Sequence, residues 1–236
     1  MEESARSAPI RNQLLERLPR ARRVQVIARC ERVQLVNMES IAEAGGEMRN
    51  VYFPTGSSIS MLVPMGESLP PEVRLAGSEG FYGISVALGM TISPVHVRVQ
   101  EPGSAWRIGS AAFRRELART PTLRDCVNRY IFVIMTQLMR NAGCNRFHSV
   151  PQRVARRLLM MADRAHSATF HLTHESLANV LGVRRVGVTE AASALQRHRL
   201  IEYSRGSVTV LDRPGLERAS CACYRDDIAL YRRYLG

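Results

Sequence analysis

Lysine is missing from this chain: all 33 basic residues among its 236 are arginine. That bias reflects genome composition as much as chemistry, and no function is read from it. Long apolar runs are missing as well, and with them any stretch of the roughly 18 residues that would argue a bilayer span. No charged-then-apolar leader is present either. A soluble, cytoplasmic protein without a membrane partner is expected. The five cysteines, Cys30, Cys126, Cys144, Cys221 and Cys223, are odd in number and scattered, which speaks against a disulfide framework. No CxxC pair occurs, and Cys221-Ala-Cys223 is too isolated to argue zinc, since structural sites take four ligands at recurring spacings. The expectation is no metal and ordinary reduced thiols, with redox sensing by Cys221 and Cys223 as a minor reading. Enzyme signatures are also lacking: there is no P-loop, GxSxG or HExxH. His171 and His174 flank Thr173, where contact with DNA or solvent is a simpler role than catalysis. Neither an enzyme nor a cofactor is expected.

What is present is unevenly spread. The net charge is +12, but residues 1–120 carry 15 arginines against 12 acids and residues 121–236 carry 18 against 9. The chain is long enough for two domains, each with its own core. The positive field lies with the second half, and clustered arginines bind phosphates through charge and counterion release.

That half contains LTHESLANVLGVRRVGVTEAASALQRHRLI, residues 172–201. Thr173 is placed to cap a helix, with Glu175 in the first turn where the helix dipole favours an anion. Leu177, Val180 and Leu181 share a face, Ala178 is small where a second helix must cross, Gly182 suits a left-handed turn, and Val183 plugs the corner. Val188, Ala191, Ala192 and Leu195 then recur at helical spacing. This leaves Arg184, Arg185, Gly187, Thr189, Glu190, Ser193 and Arg197 on or near the outer face as candidate DNA contacts. The pattern predicts a helix-turn-helix. A plain helical hairpin is the bland alternative; against it stands the continuation, two short β-type runs, Leu200–Tyr203 and Val208–Leu211, around the turn Ser204-Arg205-Gly206-Ser207, which reads as a wing. Thr173, His174, Arg184 and Arg205 are phosphate candidates.

Residues 11–32 suggest an amphipathic helix with Leu14, Leu15, Leu18, Val24, Val26 and Ile27 as its apolar set. Short strands follow at 51–53, 58–63, 73–75 and 95–99, punctuated by glycines at hairpin-like intervals, which predicts a jelly roll or barrel. From about Thr122 to Asn145, Val127, Ile131, Ile134, Leu138, Asn141 and Asn145 are spaced 4, 3, 4, 3, 4, the seam of a coiled coil. A buried core helix is the alternative, because Tyr130, Phe132, Met135 and Met139 add apolar bulk outside the seam; both hold if two faces are used. A two-fold dimer would put two reading helices in successive major grooves about 34 Å apart on a palindromic duplex.

In this order of parts the chain resembles the Crp/Fnr family of bacterial transcription regulators. The resemblance is carried by Leu172-Thr173, Leu177-Ala178, Leu181-Gly182-Val183, Arg185, Val188, Leu195 and Leu200-Ile201, by Phe81-Tyr82-Gly83, and by Cys144–Val150 with Arg153 and Ala155–Leu159 as hinge and following helix. It implies an α+β fold. Residues 1–120 would be a cyclic-nucleotide-binding-like β-roll, 121–146 a dimerisation helix, and 147–236 a winged helix-turn-helix domain with a C-terminal extension. It also implies a homodimer on double-stranded DNA, with RNA polymerase and a small-molecule effector as further partners. Phe81, Tyr82, Gly83, Ile84, Ser85, Ser93 and Arg98 are the effector-pocket candidates.

Departures from the family qualify this. Where cyclic-nucleotide members have Gly-Glu and Arg-Ser or Arg-Thr, this chain has Gly83-Ile84 and Ser93-Pro94, so the ribose carboxylate and the phosphate arginine are absent. Cyclic AMP is therefore disfavoured; Arg98, further along that strand, is a candidate substitute, a strand arginine facing solvent being the simpler reading. Cys30 alone does not make an iron–sulfur site, nor His96 alone a haem site. In the reading helix Arg185 is kept, but Val186 and Glu190 stand where a glutamate and an arginine are expected, which predicts a different half-site. A dimeric sensor or scaffold with weak or no DNA binding is the alternative function.

Overall fold

A computed structural model describes residues 11–66 and 70–236. It begins with two short helices, α1 (Gln13–Glu16) and α2 (Arg20–Ile27), where one amphipathic helix was expected. Pro19 separates them, because proline disfavours helical backbone in the residue before it and offers no amide proton. Asn12 starts α1: its Oδ1 accepts from the Leu15 amide at 3.1 Å, while its Nδ2 donates to the carbonyls of Pro54 and Gly80. Leu14, Leu15, Leu18 and Val26 are buried, but Val24 is exposed, and by residue 31 the chain is already in a strand.

The β-roll comprises β1 (Glu31–Leu35), β2 (Ser40–Ala42), β3 (Asn50–Pro54), β4 (Ser58–Leu62), β5 (Glu72–Ala76), β6 (His96–Glu101) and β7 (Gly103–Gly109), with the one-turn helix α3 (Ile84–Ala87) before β6. They form two antiparallel sheets, β1-β7-β3 and β2-β6-β4-β5. Strands β3 to β6 were legible; β1, β2 and β7 were not, because Arg and Glu interrupt β1 and glycines bound β7. The interior is aromatic. Phe53 stacks on Phe81 with centroids 5.4 Å apart, Phe113 lies 6.0 Å from Phe53 and 5.8 Å from Phe81, and Tyr130 sits 5.4 Å from Phe81. Gly80 admits Tyr130: a Cβ there would lie 1.6 Å from the phenol oxygen.

After α4 (Ser110–Arg119), Pro121 opens α5 (Pro121–Phe147), 27 residues long, proline being well placed in a first turn whose amide has no helical partner. The predicted seam is corrected here. Val127 is buried in the β-roll core, and Ile131 and Ile134 pack partly against it. Asn141 and Asn145 accept hydrogen bonds from Arg156 (2.6 Å) and Arg153 (2.9 Å) of the next helix. Leu138 and Asn145 of that set are exposed; the open apolar face of α5 is Phe132, Met135, Leu138 and Met139. A long helix apolar on two sides gives two candidate seams, and the β-roll occupies the first half of the one chosen from spacing.

The chain then turns into α6 (Val150–Ala165), opened by a capping box in which Ser149 and Gln152 satisfy each other's end of the helix. There follow β8 (Thr169–His171), α7 (His174–Leu181), α8 (Arg185–Arg197), β9 (Ile201–Ser204), β10 (Ser207–Val210), α9 (Arg213–Ala219) and α10 (Cys223–Leu235). A second core gathers Leu158, Leu159, Leu177, Val188, Leu195, Ile201 and Val208. Helix α10 returns along α5, and its Leu235 is buried in the β-roll core. Among the described residues, no helix is long and apolar enough to cross a membrane.

Candidate nucleic-acid interface

Thr173 accepts from the Ser176 amide at 3.1 Å and so starts α7 as the sequence predicts. Gly182 ends it in the left-handed conformation (φ 62°), which turns the chain within two residues into α8. Val188, Ala191, Ala192 and Leu195 are buried and seat α8 on α6 and α7. The opposite side presents Arg184, Arg185, Val186, Thr189, Glu190, Ser193 and Arg197, all exposed, with Gly187 half-buried. Arg184 occupies the N-cap position without a side-chain cap bond, leaving its guanidinium free of the helix end.

Strands β9 and β10 form the wing, joined by Arg205-Gly206 with φ 50° and 81°, and β8 adds a third strand in the order β8-β10-β9. Arg205 stands at the tip, exposed. Among the described residues, Arg184, Arg185, Arg197 and Arg205 make no ion pair with a carboxylate. The surface is thus a set of uncompensated cations around one exposed helix.

His174 departs from its expected role as a phosphate contact. Its Nδ1 shares a 3.1 Å hydrogen bond with Thr189, its ring stacks on Tyr203 at 4.3 Å, and burial and the nearby Arg185 lower its pKa, keeping it neutral at pH 7. Tyr203 was not singled out in the sequence. Its hydroxyl donates to the Leu172 carbonyl at 2.7 Å, so it holds the wing against the start of α7.

The effector candidates are spread between the core and the surface of the β-roll. Phe81, Tyr82 and Ser93 are buried, Ser93 donating to the Val95 carbonyl at 2.7 Å. Arg98 is on the surface, paired with Glu43 at 2.8 Å. The same Glu43 accepts from Ser40 and His96, and these bonds together with Arg98 hold its pKa down at about 2. A cavity of about 420 Å³ lies elsewhere, between β5, α5, α6 and α7, and Phe81 to Ser85, Ser93 and Arg98 do not line it. Its walls include Arg74, Arg153, Arg156, Arg157 and Arg164. Arg156 pairs with Asp227, Arg157 with Glu72 and Arg164 with Glu79. Arg74 donates to the Phe81 carbonyl at 3.2 Å, bonds the Tyr130 hydroxyl and lies over its ring.

Residues 152–219 match the family model of the Crp-like helix-turn-helix domain. This part of the chain is similar to the Crp-like domain. The fold as a whole is similar to solved Crp/Fnr regulators. The c-di-GMP-responsive global regulator CLP of Xanthomonas campestris matches with TM-score 0.66 and 15% identity over 81% of this chain and 99% of that one. A Crp/Fnr-family regulator from Eubacterium rectale matches with TM-score 0.66 and 18% identity over 87% and 96%. FixK2 from Bradyrhizobium japonicum gives 0.64 and 14% over 82% and 98%. No curated protein matches the sequence. The Crp-like domain begins at the capping box of α6 and ends with α9, so the exposed face of α8 and the wing both lie inside it.

Proposed function

We propose that the protein is a cytoplasmic, dimeric, sequence-specific DNA-binding transcription regulator of the Crp/Fnr type that acts without cyclic AMP. The observation that carries this reading is α8 itself: buried on its Val188–Leu195 side, open on its Arg185–Glu190 side, and flanked by a wing whose tip is arginine. Arg185 reads a base edge, guanine being the partner that offers two acceptors to a guanidinium, while Arg184, Arg197, Thr173 and Arg205 hold phosphates. The open stripe Phe132, Met135, Leu138 and Met139 on α5 pairs with the same stripe of a second copy, which would set two α8 helices on a palindromic duplex. Independence of cyclic AMP is supported by Ile84 and Ser93-Pro94 standing in place of the expected carboxylate and arginine, and by the aromatic filling of the β-roll.

Selection of bound duplexes from a random pool, followed by anisotropy at rising salt, tests the reading. One enriched, two-fold symmetric site with salt-sensitive affinity is expected; equal binding to all duplexes, or none, would reduce the protein to a scaffold. Met135→Glu with Met139→Glu should yield a monomer in sedimentation, and a persisting dimer would move the interface elsewhere. Calorimetry should record no heat from cyclic AMP. A second reading, that an anionic effector binds between the halves, is favoured by the arginine-lined cavity, where Arg74 and Arg153 have no carboxylate partner among the described residues.

A further inference from the structure

Cys144, His148, Cys221 and Cys223, which sequence spacing left unconnected, meet at one point. Cys144 lies in the last turn of α5 and His148 caps that helix; Cys221 is in the turn after α9 and Cys223 opens α10. Their four ligand atoms all lie within 4.8 Å of one another. Cys144 Sγ is 3.6 Å from Cys221 Sγ, and Cys223 Sγ is 3.6 Å from His148 Nδ1. A tetrahedral zinc ion with Zn–S of about 2.3 Å and Zn–N of about 2.0 Å separates its ligand atoms by roughly 3.5 to 3.8 Å, so both distances fit.

Apolar packing, a disulfide and an iron–sulfur cluster each account for less of this geometry. The three thiols are buried in a cluster of their own, joining neither hydrophobic core, which apolar filling does not explain. A disulfide would join two of the sulfurs and leave the third thiol and the imidazole without a role. An iron–sulfur cluster spreads its ligands over several iron atoms, and this constellation is too tight for that. Four protein ligands also close the coordination sphere, which is the arrangement of a structural site and not of a catalytic one.

We propose that these four residues form a tetrahedral site for a single thiophilic divalent cation of the zinc class, and that this ion locks the hinge between α5 and α6 to the start of α10. Each ligating thiol gives up its proton to solvent, and three thiolates with a neutral imidazole leave the loaded site with one negative charge. The surroundings meet that charge: the Arg156 guanidinium reaches Cys144 and also binds Asp227, one turn beyond Cys223. Asp227 in turn pairs with Arg140 of α5. Three helices converge on the ion, and the orientation of the Crp-like domain on the long helix is fixed there.

The test uses the full chain, purified under reducing conditions. Elemental analysis should find about one zinc per chain, and titration of the metal-stripped protein with Co²⁺ should give the visible absorption of a tetrahedral thiolate complex, saturating at about one equivalent. Cys221→Ser and Cys223→Ser should each lower the metal content, whereas Cys30→Ser should leave it unchanged. Wild-type protein with all thiols assayed as free, yet without zinc and without the Co²⁺ spectrum, would overturn the proposal, as would a Cys144–Cys221 disulfide that fails to take up metal after reduction. The wild-type titration stands even if a variant does not fold. Because metal content is read without DNA, failure here is separate from failure of the regulator reading.

Discussion

The β-roll and the Crp-like domain differ in what each leaves open. In the β-roll, Phe53, Phe81, Phe113 and Tyr130 close the interior, Arg74 is held by Tyr130, and Arg98 is spent on Glu43 at the surface. In the Crp-like domain the apolar side chains take one side of α8, and the arginines on the other side have no carboxylate partners among the described residues. Both halves keep the backbone of regulators with which the chain shares at most a fifth of its residues. A fold therefore persists through its packing positions, whereas a ligand is kept or lost through a handful of side chains. Here aromatic rings close the interior of the β-roll, and one side of α8 is left open.

Breaking the packing should have the largest effect. Phe53→Ala leaves a cavity beside the rings of Phe81 and Phe113 and should cost about 3–5 kcal/mol in urea unfolding, while DNA affinity of the still-folded protein holds. Loss of DNA binding at full folding would mean that the β-roll does more than scaffold. Next comes Arg185→Ala, expected to cost about 1–3 kcal/mol of DNA binding and to blunt preference at one base step, whereas Arg205→Ala should weaken all sequences alike and flatten the salt dependence by about one unit of slope. If the two effects were exchanged, the roles of helix and wing would be exchanged too. Thr173→Ala removes the cap of α7 and should cost about 1 kcal/mol of stability, read by thermal melting. The smallest effect concerns pH. His174 has a folded pKa below its ordinary 6.5, so the unfolded chain takes the proton first; the stability it supports is intact above pH 6.5 and falls as pH drops through the folded value. His174→Gln should make urea midpoints above and below 6.5 differ less than in the wild type; an unchanged pH response would remove His174 as its source.

How much of the molecule is legible in its sequence follows from the range of the interactions. The turn at Gly182, the cap at Thr173 and the inward set Val188 to Leu195 are local, each decided within one or two helical turns, and the structure places them as the spacing implies. The seam of α5 was misplaced because both of its faces are apolar and only the β-roll decides which one it covers. The surroundings of the effector candidates were out of reach for a similar reason: Phe81 was identified by position, but Tyr130, which packs on it, arrives from another element 49 residues later. The cysteine cluster lay furthest out of reach. Cys144 and Cys221 are 77 residues apart, and neither short-range spacing nor composition records that α9 ends where α5 does.

The turn of the wing carries one more consequence. Arg205 holds a left-handed backbone, φ 50°, which costs an ordinary L-residue about 1–2 kcal/mol and which asparagine or glycine adopts with less strain. An easier residue would make a quieter hairpin. That the tip is arginine means the loop tolerates a conformational burden to keep a long cation at its outermost point, so Arg205→Asn should melt higher than the wild type even as it grips DNA less.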